Sequence, residues 1–442
     1  MEAIQTSTAI EFPRYSCALA AQQTVVAIKR AAPIVHAGPG CIMKICGMVG
    51  QGDGYAGGGD IPCTNTGERE VVYGGEDRLR EIIDGSFKVI DADLYVVLSG
   101  CTSDIVGDDI KSVVLGFSQA ERPVVCAETG GFKSSNYVSH ELVVKEIIDQ
   151  YVDLHKNGGV ERGLVNVFAS VPYQDPFWNG NLEELKRLFE GIGLKVNILF
   201  GEDSGGIDEW KTIPNAQFNI VVNAWVGLGI AQHLEEKYGT PYIRFPYFPI
   251  GARDTSQMLR QAAEFGAVDN AVAAAFIKKE EAKYYGYLDT TMDFLLEFRY
   301  GLPRRFYTLL DASYAIGFSR FLLNDIGILP SRQFILDDTP ERFRDEITGL
   351  FAEISGLRSA EIEFLSDAGV AHELIRDDEN RNRALILGSA WERELANGLG
   401  ADLLIVSVPI TYRLILGCAY VGYRGGIRAI EDIYGRVLDT FR

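Results

Sequence analysis

The sequence is short of several things, and each shortage narrows what the chain can be. No run of about 18 apolar residues occurs, so no membrane span is expected. No basic stretch precedes an apolar one in Met1–Ser16, so that segment does not read as a secretory signal, and cytoplasmic residence is the expectation. No Cys-x-x-Cys spacing occurs, which argues against a zinc ribbon or a thioredoxin-like site. There is no Gly-x-x-x-x-Gly-Lys-Ser/Thr loop, and no Gly-x-Gly-x-x-Gly follows a clear strand, so the chain has no phosphate cradle of its own. Histidine is scarce, at five residues; His140, His155, His233 and His372 are scattered, which leaves a His-based metal site without support. Positive charge is also short, with 42 Lys and Arg against 61 Asp and Glu and a net charge of −19. That balance argues against nucleic acid or an anionic membrane as partner, and it permits docking of a basic patch on another protein.

What is present begins with cysteine. Seven cysteines at wide spacing in a cytosolic-looking chain do not read as a disulfide framework. Three of them stand out. Cys17 lies in Tyr15-Ser16-Cys17-Ala18, Cys41 closes His36-Ala37-Gly38-Pro39-Gly40-Cys41, and Cys101 lies in Leu98-Ser99-Gly100-Cys101-Thr102-Ser103. In each case a short turn should put the sulfur at the end of a secondary-structure element. Three thiolates from separate loops are one short of the four that an iron–sulfur or zinc site usually takes, which points to a site shared with a second chain. Cys46 and Cys63 lie close enough in the chain to approach Cys41. Cys126 and Cys418 sit in apolar surroundings and read as small hydrophobes. His36, before a Gly-Pro-Gly turn, reads as a local hydrogen-bonding residue, and Gly50–Gly59 as a loop.

At 442 residues, roughly two to four domains are expected. Apolar runs at residues 31–35, 92–98, 122–126, 163–170, 195–201, 218–222, 384–388 and 401–409 alternate with amphipathic stretches. Fully apolar strands alternating with amphipathic helices indicate α/β architecture, with parallel sheets covered on both faces. The expected division is 1–165 with the cluster cysteines, 166–300 with a helical segment from 257, and 301–442 with a closing helix from Val421. Ligands in such units bind at the carboxyl ends of strands, and Cys101 follows directly on the 92–98 run.

These residues resemble the component-1 proteins of the nitrogenase family over most of the chain. His36–Cys41 resembles the family's His-Gly-x-x-Gly-Cys turn, and Val72-Tyr73-Gly74-Gly75 its Val-Phe-Gly-Gly segment. Cys101-Thr102-Ser103-Asp104-Ile105-Val106-Gly107-Asp108-Asp109 resembles its Cys-x-x-x-x-Ile-Gly-Asp-Asp. The resemblance implies three Rossmann-like domains. It implies that Cys17, Cys41 and Cys101 bind half of a P-cluster (8Fe-7S) shared with a homologous α subunit in an α2β2 heterotetramer. It also implies an ATP-dependent iron protein as electron donor. The family's α subunit holds an iron–sulfur active-site cofactor with one Cys and one His. Here the Cys position, before a helix ending in Glu235-Glu236-Lys237-Tyr238-Gly239, holds Asn223, and the His position falls near Tyr412-Arg413. The chain therefore resembles the β-type subunit, with no catalytic residue of its own and the cofactor on the partner. The Ser that assists the oxidised P-cluster in molybdenum nitrogenase is replaced near Gly130-Gly131-Phe132. A dinitrogen-reducing β subunit usually has a longer N-terminus and an aromatic- and Arg-rich segment where Ile42–Gly47 stands here. The nearer resemblance is to the nitrogenase-like reductases, with the methylthio-alkane reductases leading. A dinitrogen-reducing β subunit and a cofactor-assembly scaffold are the alternatives.

Overall fold

Val- and Leu-rich runs form strands because branched side chains pack well on a pleated surface covered from both sides. The structure, a computed structural model, describes residues 10–43, 61–120, 122–156, 158–298, 301–354, 361–379, 381 and 383–439. Three parallel sheets follow one another along the chain. The first is β1 (Ala31–His36), β2 (Leu94–Ser99) and β3 (Val124–Ala127), in the order β1-β2-β3. The second is β4 (Glu161–Phe168), β5 (Lys195–Asn197), β6 (Ala216–Val222) and β7 (Tyr242–Phe245), in the order β5-β4-β6-β7. The third is β8 (Arg305–Leu310), β9 (Leu329–Ile335), β10 (Ile362–Phe364), β11 (Leu385–Gly388) and β12 (Asp402–Ile405), in the order β10-β9-β8-β11-β12. The second and third sheets reverse their strand order, between β4 and β6 and between β8 and β11, as doubly wound sheets do. Among the described residues the first does not reverse.

Alternation along β2 shows how the layers are built. Val96 and Leu98 face a core shared with the other two sheets, whereas Tyr95 and Val97 face a separate cluster with Leu79, Ile83 and Val113. The third sheet splits the same way: Phe306 and Leu310 join the shared core, and Tyr307 and Leu309 pack beneath Ala371 and Ile375. Helices Ala252–Phe265, Asn270–Thr290 and Met292–Phe298 fill the stretch expected to be helical, and Gly422–Asp439 is the closing helix. The helix Leu228–Tyr238 ends at Gly239, whose φ of +73° favours glycine. No helix among the described residues is long and apolar enough to cross a membrane.

One buried histidine makes the fold acid-sensitive. His140 is 4% exposed and bonded through Nδ1 to Thr24 Oγ1 at 2.8 Å; burial lowers its pKa to about 3. Below an unfolded pKa of about 6.5 the unfolded chain takes up a proton that the folded chain refuses, so this contribution to stability is present at pH 7 and is lost as the pH falls. Lowering the pH from 7 to 5 is expected to remove about 2 kcal/mol through this residue. Urea midpoints at the two pH values check it, with His140→Gln flattening the difference.

Candidate functional site

The carboxyl ends of β1, β2 and β3 carry the three cysteines. Cys101 comes two residues after β2 and opens the short helix Cys101–Val106. Cys41 lies in the helical stretch 39–43 that follows β1. Cys17 arrives from the N-terminal side and pairs with Ser135, beyond β3, through an isolated antiparallel bridge. Gly100 is required where these ends converge, because a Cβ there would lie 2.5 Å from Ala37 Cβ.

Gly131 is the meeting point of two of the sulfurs. A Cβ on Gly131 would sit 3.0 Å from Cys17 Cβ, 3.2 Å from Cys101 Sγ and 3.4 Å from Cys17 Sγ, and the Gly131 N–H donates to Cys101 Sγ at 3.2 Å. Cys41 is not among these nearest atoms. Cys17 and Cys41 are exposed and Cys101 is half-buried. Among the described residues no group of three or more His, Cys, Asp or Glu side chains is placed to hold a metal ion alone. Two buried hydroxyls next to Cys17, on Ser16 and Ser135, have no hydrogen-bond partner in this chain. Thiols and unsatisfied hydroxyl donors are a donor set that suits a sulfide-rich cluster.

A buried network ties the three motif segments together. His36 Nε2 meets Asp108 Oδ2 at 2.9 Å, and His36 Nδ1 meets Thr64 Oγ1 at 3.1 Å. Asp108 Oδ1 accepts the Gly75 N–H at 2.8 Å, and a Cβ on Gly75 would strike the His36 ring at 2.7 Å. Asp109 caps the next helix by accepting from Ser112 N. Burial lowers the His36 pKa, with Asp108 pulling the other way. His36 is thus the local hydrogen-bonding residue that the sequence indicates, reaching also to a partner 72 residues away.

The remaining cysteines divide. Cys126 packs in β3, and burial pushes its thiol up to about 12, so it is an inert core residue. Cys63 runs beside β1; its thiol donates to Ala37 O at 3.2 Å and is raised by burial. Cys418 corrects the sequence reading in part. It packs at the core edge, but from a loop that lines a 970 Å³ cavity, and it accepts a hydrogen bond from Arg413 Nη2 at 3.2 Å. Its neighbours Leu414 and Leu416 face outward. Cys46 and Gly50–Gly59 lie outside the described residues.

The profile of the nitrogenase component 1 type oxidoreductases matches residues 16–438. The chain belongs to that family. It is 24% identical to the nitrogenase molybdenum-iron protein beta chain of Clostridium pasteurianum, over 84% of this chain and 81% of that one. It is 23% identical to one chain of the light-independent protochlorophyllide reductase of Angiopteris evecta, over 82% of this chain and 71% of that one. The solved structure "Nitrogenase Cp1 at pH 6.5" superposes with a TM-score of 0.82 at 19% identity, covering 100% of this chain and 96% of that one, so the fold is the same.

Within this oxidoreductase fold, Asn223 follows β6 at the strand-order reversal of the second sheet. Its side chain is taken up by backbone: Oδ1 accepts from Trp225 N and Val226 N at 3.1 and 3.0 Å, and Nδ2 donates to Ala169 O at 2.9 Å. Arg413 is bound to Tyr420, Asp432 and Cys418, while Tyr412 is exposed beneath Arg393. Two further residues of the site carry no motif in the sequence, Ser16 and Ser135. Only their place beside Cys17 marks them.

Proposed function

We propose that this chain is the β-type subunit of a nitrogenase-like reductase. It shares a P-cluster with a homologous α subunit and relays electrons from an ATP-dependent iron protein toward a cofactor held by the α chain. The observation that carries this reading is the company the cysteines keep. Exposed apolar side chains flank them: Met43 after Cys41, Ile105 on the Cys101 helix, Phe132 after Gly131, and Val71, Val72 and Tyr73 on the helix packed against it. An apolar surface around free thiols is what a subunit interface would cover.

In this reading Cys17, Cys41 and Cys101 hold one side of the cluster as thiolates. A bound cluster supplies one-electron redox chemistry. The Gly131 N–H stabilises the Cys101 sulfur as thiolate, and the Ser16 and Ser135 hydroxyls are available as further donors. Asn223 and Arg413, both engaged within the chain, support a cofactor site on the partner instead.

As substrate we propose a methylthio-alkane. Two electrons and two protons cleave the carbon–sulfur bond, giving methanethiol and the hydrocarbon. The support is sequence resemblance, chiefly Ile42–Gly47 in place of an aromatic- and Arg-rich segment. The relatives favour two other substrates, dinitrogen and protochlorophyllide, and an assembly scaffold is the non-enzymatic alternative. The complex, purified anaerobically with its iron protein and ATP, is tested on all three substrates. Methanethiol release is expected. Ammonia or chlorophyllide instead overturns the substrate. A complex that turns over none but donates a cofactor precursor to an apo-protein overturns the enzyme reading.

A further inference from the structure

Residues 10–17 have no regular secondary structure, yet they run from the loops of the third sheet to Cys17. The far end is gripped by side chains. Glu11 N donates to Asp367 Oδ1 at 3.0 Å, and Phe12 stacks on His372 with ring centroids 5.0 Å apart. Arg14, 4% exposed, forms an ion pair through Nη2 with the fully buried Glu392 and lies 4.9 Å over the Trp391 ring. Glu392 also meets His372 Nε2 at 2.8 Å and accepts from the Ser389 hydroxyl at 3.0 Å, in a space that Gly388 leaves open. Burial alone would raise this carboxyl; Arg14, His372 and Ser389 together hold it at about 2. The near end is held through its own backbone groups. Gln174 Nε2 donates to Arg14 O at 2.6 Å, Ser16 N donates to Asn136 Oδ1 and Asn136 N to Ser16 O, both at 2.9 Å, and Ala18 N donates to Ser134 O at 3.1 Å.

A buried ion pair is a poor source of net stability, because desolvation offsets much of the attraction, but it penalises any slippage heavily. This one joins residues 378 apart in sequence, three residues before Cys17. We propose that Arg14 and Glu392 form a latch that fixes the reach of residues 10–17 and so places Cys17 beside Cys101 and Gly131. Arg14 and Glu392 are then positioning residues, and this role rests on Cys17 being a cluster ligand.

The test compares complexes purified anaerobically. Arg14→Met with Glu392→Gln removes both charges together and leaves neither buried alone. Amide hydrogen exchange at residues 11–17 is expected to accelerate at least tenfold, with β2 and β8 unchanged, and iron per complex to fall by half or more. Arg14→Lys, which keeps the charge, is expected to recover most of the iron. Phe12→Ala loosens the same segment without touching the pair and should give smaller changes in the same direction, even where the double variant fails to fold. Unchanged exchange at residues 11–17 overturns the latch. Faster exchange with full iron overturns its role in placing Cys17. A wild-type complex without iron overturns the ligand reading, and the exchange result then decides the latch by itself.

Discussion

Cys101→Ala is expected to strip the complex of its cluster iron and abolish electron transfer while the chain still folds. The physical grounds are local. Cys101 is half-buried and opens a helix, where alanine is well tolerated, so the fold loses little more than the Gly131 N–H bond to sulfur, about 1 kcal/mol. In the proposed site the cluster would lose one of the three thiolates that this chain supplies, and Gly131, the residue beside it, has no side chain to take its place. Cys126→Ala is the control: it removes a sulfur packed inside β3 and should leave iron unchanged. Iron analysis and thermal unfolding of both variants decide the matter. Full iron in Cys101→Ala would sink the assignment.

Asp108→Ala is expected to destabilise the chain by about 2–4 kcal/mol, the range for leaving two buried neutral donors without their acceptor. The carboxylate is 4% exposed and satisfies two buried donors at once, His36 Nε2 and Gly75 N. Truncation leaves both without partners and opens a space between them. Asp108→Asn keeps one acceptor oxygen and should cost about 1–2 kcal/mol. Urea unfolding measures both, and a loss in Asp108→Ala under about 1 kcal/mol would show that water replaces the carboxylate freely. Because the same network ties the segment before Cys41 to the segment after Cys101, the variant should also weaken iron retention.

The parts of the fold legible in the sequence were those where one signal dominates. β2 and β11 are almost wholly apolar runs, and all of β2 is buried. Gly239 ends its helix in the left-handed conformation that glycine permits, and Cys101 stands at a strand end as its turn implied. Other elements were hidden because tertiary contacts override the local pattern. β9 contains Pro330, Arg332 and Gln333, which break up its apolar pattern, but Gln333 is buried and takes bonds from the Thr308 and Ser319 hydroxyls. β7 and β8 each carry an arginine and alternate too briefly to register. The site divides likewise. Its cysteines were visible as residue types at turns. The approach of Cys17 to Cys101 was not, because it depends on a glycine after β3 and on an ion pair between the two ends of the chain. No period or spacing encodes contacts of that range.

The first sheet runs β1-β2-β3 without the reversal that opens a crevice in the other two. Among the described residues its cysteine-bearing end is therefore a rim and not a crevice. In the subunit proposed above, what this rim holds is retained by a second surface pressed against it. Retention then obeys mass action rather than the affinity of a closed pocket: dilution of the complex should release iron, and excess partner chain should prevent it.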